Sequence, residues 1–145
     1  MSQQLGFVGS WRAAIFEDDG PPTQALFTLG ADGTLVSAEH PIVTPPGAGR
    51  VFTSSGHGAW AADGPDTAIA TFVGLGSVDE GVLFGSVTIR TAITLDAGGQ
   101  TCAGRFVATL ADPDGNSLAT FPGTLKATRI VAEAPEMPAI DALAS

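Results

Sequence analysis

The sequence predicts an all-β protein, an antiparallel up-and-down β-barrel of about eight strands. Three observations lead there. Turn-forming clusters recur at near-regular intervals along the 145 residues, and the runs between them are rich in Thr, Val, Phe, Ile and Leu. No run carries a sustained apolar stripe at helical spacing with caps. Strands joined by short links pair with their neighbours, and a meander of this length protects its edges most economically by closing on itself.

The elements follow in order. The first strand opens at "GSW" and alternates, with Trp11, Ala13 and Ile15 on one face and Ser10, Arg12 and Ala14 on the other. "EDDGPP" (17–22) ends it, "TQALFTL" (23–29) forms the second strand, and "ADG" (31–33) turns the chain again. Residues 39–55, "EHPIVTPPGAGRVFTSS", break the rhythm as a long loop with three prolines, expected to form a lid over one barrel mouth. The later turns are "ADGPD" (62–66), "VDEG" (78–81), "DAGG" (96–99) and "DPDGN" (112–116). In 82–95, Val87, Ile89, Ile93 and Leu95 oppose Ser86, Thr88, Arg90 and Thr94. In 101–111, Cys102, Phe106, Ala108 and Leu110 oppose Arg105, Val107 and Thr109. The last strand places Gly123, Leu125, Ala127 and Arg129 together, with Lys126 outside. One barrel domain over 1–130 is therefore expected, followed by an acidic, proline-interrupted tail over 131–145 that either frays or lays "AIDALA" against the outside as a short helix.

Composition narrows the function classes. Fifteen acids against six bases give a formal charge of −9, which repels phosphate backbones and anionic membrane surfaces, so neither nucleic acid nor membrane is an expected partner. The single cysteine, Cys102, excludes an internal disulfide and a CxxC metal or redox site. "MSQQLGFVGSW" lacks the charged start and apolar run of a secretory leader, so a cytoplasmic location is the expectation. The mildly apolar second faces of the strands suit a subunit interface, and a homodimer is expected.

Gly9–Ser10–Trp11 at the start of the first strand, with Arg129 at the end of the last, resembles the G-x-W and C-terminal Arg signature of the calycins, the superfamily of lipocalins, fatty-acid-binding proteins, avidins and bacterial lipocalin-like barrels. The resemblance implies that Trp11 closes the base of the barrel and that the Arg129 guanidinium lies across its indole, joining first and last strands, with Gly9 allowing close approach. The chain departs from secreted lipocalins in lacking a leader and disulfide cysteines. The chain also resembles the allene-oxide-cyclase-like barrels, which include cofactor-free cyclases of secondary metabolism, although no motif singles that family out.

Few residues offer chemistry. His57 lies between glycines in "SSGHGAW" (54–60), where it would act as an acid/base or pocket hydrogen bonder, or serve merely as a strand-entry histidine. As a single axial ligand it would also match the haem-binding nitrobindins, which are lipocalin-like; no metal site or cofactor is expected overall. Arg90 and Arg105, on adjacent strands, would bind a carboxylate inside the barrel, as an Arg pair does in fatty-acid-binding proteins; with the more apolar faces turned inward, both instead point out. Phe27, Trp60, Phe72, Phe84 and Phe106 are the bulk available for lining a cavity, although a packed core has the same composition. Two functions follow: binding of a small, largely apolar molecule inside the barrel, or cofactor-free cyclisation or isomerisation of a polyene or polyketide-like substrate in the same cavity.

Overall fold

A computed structural model describes residues 4–17, 20–40, 42–43 and 49–136. After a one-turn helix α1 (Gln4–Phe7) come β1 (Gly9–Phe16), β2 (Thr23–Leu29), β3 (Thr34–Ala38), β4 (Ile42–Val43), β5 (Val51–Thr53), β6 (Gly56–Ala62), β7 (Thr67–Ser77), β8 (Leu83–Leu95), β9 (Thr101–Ala111) and β10 (Ser117–Arg129). Eight of these strands pair antiparallel in the order β7-β6-β3-β2-β1-β10-β9-β8, and β8 pairs back onto β7 to close the barrel. Closure leaves these strands no free edge.

Every predicted turn cluster falls at a strand connection. In three of them an aspartate accepts nearby backbone N–H groups, as turn aspartates are suited to do. Asp32 accepts from the Thr34 amide and hydroxyl at 3.0 and 2.7 Å. Asp112 accepts from the amides of Asp114 and Asn116 at 3.0 and 2.9 Å. These bonds stabilise the charged form: the carboxyl of Asp32 is held below its ordinary value chiefly by the Thr34 hydroxyl, and that of Asp112 chiefly by the Asn116 amide.

The 39–55 segment contains more pairing than the expected loop. β3 pairs with β6 and β4 with β5, so the two arms form one long hairpin interrupted between β3 and β4 and between β5 and β6. β5 also pairs with the far end of β7, through Phe52 opposite Ser77. The interruption is bridged by the Ser54 amide donating to Leu75 O at 2.8 Å and the Leu75 amide donating to Ser54 Oγ at 2.9 Å. Pro41 and residues 44–48 of the expected lid lie outside the described residues, as does the expected tail helix over 139–144.

Alternation places the faces as the sequence pattern suggests. Trp11, Ala13, Ile93, Cys102, Phe106, Leu125 and Ala127 are buried, while Arg12, Arg90, Arg105 and Lys126 are exposed. One end of the barrel is packed solid. Phe7 from α1 and Trp11 have no exposed surface and pack with Leu29, Leu35 and Trp60. Trp11 stacks on Phe27 with centroids 6.2 Å apart, and its indole N–H donates to Phe7 O at 3.0 Å. The Arg129 guanidinium lies 4.4 Å from the Trp11 ring and donates to Gly99 O at 3.0 Å, Val8 O at 2.8 Å and Gly6 O. Trp11 and Arg129 thus join the first and last barrel strands at this base.

Candidate functional site

Above the packed base the barrel is hollow. Ala13, Ala25, Ala70, Gly74 and Ala108 all line the space, and side chains this small leave the centre unfilled. The cavity holds about 660 Å³ and is walled elsewhere by larger groups such as Phe27, Phe72, Ile89 and Leu110. It opens at the end opposite α1, where Glu17, Glu39 and His40 stand at the rim. The wall is mainly apolar, and three of the hydroxyls that line it are engaged within the protein. Thr91 donates to Arg105 O and Thr53 to His40 O, each at 2.8 Å, and Ser54 donates to Ser55 O at 2.8 Å.

The sequence-proposed contact residues separate into those the structure brings to this cavity and those it does not. Phe27, Phe72 and Phe84 line it. Trp60 belongs to the base, 6.0 Å from Phe7, with its indole N–H donating to Gly30 O at 2.8 Å. His57 faces outward between Val36 of β3 and Val73 of β7, 3.1 Å from the Ser55 hydroxyl. Its flanking glycines serve the wall rather than a ligand, because a Cβ on Gly58 would stand 1.9 Å from Thr71 O. Arg90 and Arg105 also point outward; Arg90 pairs in register with Val107, and Arg105 with Ala92. They border an open groove of about 770 Å³ along the outer wall. That groove is a surface trough, whereas the interior is enclosed by strands. The interior is the stronger site.

The rim residues Glu17, Glu39 and His40 escaped the sequence reading because they sit among turn letters, where acidic residues are ordinarily solvated. Part of Glu39 is open to solvent at the rim, yet the surrounding wall desolvates its carboxyl. This desolvation raises the carboxyl above its ordinary value, the Glu17 charge adds to the effect, and His40 opposes it. The linkage has a definite sign. A carboxyl that holds its proton more tightly in the fold destabilises the fold when ionised, fully above its folded pKa and not at all once pH falls below the unfolded value near 4.5. Glu39→Gln is therefore expected to raise the melting temperature near neutral pH and to lose that gain as the medium is acidified through this range. Thermal melts of both proteins across pH would check it; a gain that persists below pH about 4 contradicts the assignment.

Cys102 is buried in the base, and burial pushes its thiol up to about 11, with Arg129 pulling it down less strongly and Asp96 pushing it up. It is a packing group, not a nucleophile. Among the described residues no cluster of His, Cys, Asp and Glu is placed to hold a metal ion, and no helix is long and apolar enough to cross a membrane.

Fold and site together define a closed eight-stranded antiparallel β-barrel with one packed end and one open, ligand-sized interior. No protein-family model matches the chain, and no curated protein matches it. Among solved structures it is similar to a redesigned β-barrel at 16% identity and a TM-score of 0.48, covering 89% of this chain and 96% of that one.

Proposed function

We propose that the barrel binds a small, largely apolar molecule in its interior. The observation that supports this is the enclosed, apolar-walled space of about 660 Å³, which lies within the roughly 300–1,000 Å³ usual for small-molecule sites. A barrel built only for stability would fill its centre with side chains, as this one does at its base. The small inward residues at five wall positions leave that space open instead. The base excludes water from below, and entry is through the rim between the β3–β6 hairpin and the β1–β2, β7–β8 and β9–β10 connections.

The test is direct. Gently purified protein is examined by native mass spectrometry, its organic extract is analysed, and the neutral fluorophore N-phenyl-1-naphthylamine is titrated into it. A retained apolar mass, or saturable fluorescence enhancement at one site per chain, is expected. A bare protein that also leaves the fluorophore unaffected would overturn the reading.

A further inference from the structure

β3 presents a ladder to the cavity. Leu35 and Ser37 occupy alternate positions on one face, Glu39 follows just past the strand's end at the next alternate position, and all three line the interior. Alternate residues of a strand stand about 6.7 Å apart, so the ladder runs from apolar floor to hydroxyl to carboxyl at the rim. Ser37 is the one buried polar side chain among the described residues, at 5% exposure. Unlike Thr53, Ser54 and Thr91, its hydroxyl enters no hydrogen bond with the described residues, although no fully enclosed side-chain N or O among them lacks a partner. Ser37 lines the cavity, so its Oγ stands where a bound molecule can meet it. A bound molecule with a polar atom at that depth would pair with it, and a hydroxyl covered by a wholly apolar molecule would lose that pairing at a cost.

The rim fixes which polar atom. Glu39 and Glu17 both border the opening. Arg50, the arginine on the hairpin beside the mouth, is drawn to Asp79 at 3.4 Å, and Arg90 and Arg105 point away from the interior. His40 is the only basic side chain lining the cavity among the described residues. The interior thus offers hydroxyls that can accept and a rim of negative charge, and among the described residues no arginine or lysine lines it to receive an anion.

We propose that the cavity selects an apolar molecule whose polar end is a hydrogen-bond donor, a protonated amine above all, seated between Ser37 and Glu39, and that it turns carboxylates away. An ammonium carries three donors and no acceptor, which matches one hydroxyl oxygen and one carboxylate a pleat apart. A fatty acid meets two like charges at the entrance. This inference rests on the interior-binding reading and adds the ligand's polarity to it.

The experiment uses three probes with one tail: decylamine, 1-decanol and decanoate, each displacing N-phenyl-1-naphthylamine from the full chain at neutral pH. Decylamine is expected to displace at roughly ten-fold lower concentration than decanoate, with decanol between, from one charge-assisted bond gained or one repulsion incurred. Glu39→Gln should shrink the amine-over-acid preference to within about three-fold, since that bond becomes neutral. Asp66→Asn removes the same charge at the closed end and should leave the preference intact, separating the rim from the overall charge of −9. Ser37→Ala should weaken amine and alcohol together by several-fold. Decanoate matching or outdoing decylamine overturns the inference while the binding reading stands; so does loss of the preference in Asp66→Asn. No uptake of the fluorophore at all overturns both.

Discussion

Trp11→Ala is expected to remove about 3–5 kcal/mol of stability, a large part of the roughly 5–15 kcal/mol that a domain has in total. The side chain is fully buried, so alanine leaves a void that the strands cannot close. Three partners are disturbed at once. Phe27 loses its stacking face, Phe7 O loses the indole donor that holds α1 in the base, and the Arg129 guanidinium loses the ring beneath it. Arg129→Ala removes the other half of the clamp. Its donors reach carbonyls of Gly6 and Val8 in the opening segment and of Gly99 in the β8–β9 turn, so one side chain holds together two segments that no strand pairing joins. Charged hydrogen bonds of this kind contribute about 1.5–3 kcal/mol each when intact; some water access at this half-buried site puts the expected loss near 3 kcal/mol in total. Arg129→Lys keeps the charge but not the planar fork, and should recover less than half. Trp11 and Arg129 are register partners across β1 and β10. Residues in contact do not add, so the double alanine variant should lose at least ~1 kcal/mol less than the sum of the two. Urea denaturation of the four proteins measures this. Strict additivity would show that the ring and the guanidinium act separately, and the base clamp would not exist as described.

The base was legible in the sequence for the same reason that it is stable. Its parts are rare residues at the two chain-ordered ends of the meander, and a tryptophan after a glycine is visible without any knowledge of register. Strand faces were legible because β1, β8, β9 and β10 are long enough for alternation to accumulate. α1 was not: one turn carries no periodicity, and only Phe7, enclosed on all sides, reveals its role afterwards. The β4–β5 extension was hidden by the proline-rich composition of 39–55, which reads as loop although Val51 to Thr53 pair with both β4 and β7. The site was the least legible part. "GHG" draws attention as a site for close ligand approach, but there the glycines let β6 cross close to β7 and the histidine points outside. An empty interior has no sequence signature of its own. It arises from where small residues fall in register across neighbouring strands, and register is not written locally.

The absence of side-chain volume at one such position gives the sharpest test of the cavity. Gly74 faces the interior from β7, with a backbone that needs no positive φ. A Cβ there would meet only Val87 Cγ1 at 3.6 Å and Ser54 O at 3.7 Å, both ordinary contacts. Neighbouring wall glycines are unsuitable: a Cβ on Gly56 or Gly76 would stand 2.3 Å from Ser37 Oγ or 2.8 Å from Val51 Cγ1. Gly74→Leu should therefore send an isobutyl group into the open space without pushing on the wall. Replacing a strand glycine also restricts the unfolded chain, and the new side chain is shielded from water, so stability should hold or rise by up to about 1 kcal/mol. Occupancy of the space should fall with it, because the added group takes room that the ligand needs and overpacking an occupied site costs about 1–3 kcal/mol, roughly a five- to 150-fold loss of affinity for N-phenyl-1-naphthylamine. The two readouts move in opposite directions only if the void is real and is where the ligand sits. Unchanged fluorophore affinity in a well-folded Gly74→Leu protein would place binding elsewhere, with the outer groove beside Arg90 and Arg105 the next surface to probe. A strongly destabilised variant would instead mean that the interior collapses around Gly74 in solution and is not held open by the barrel.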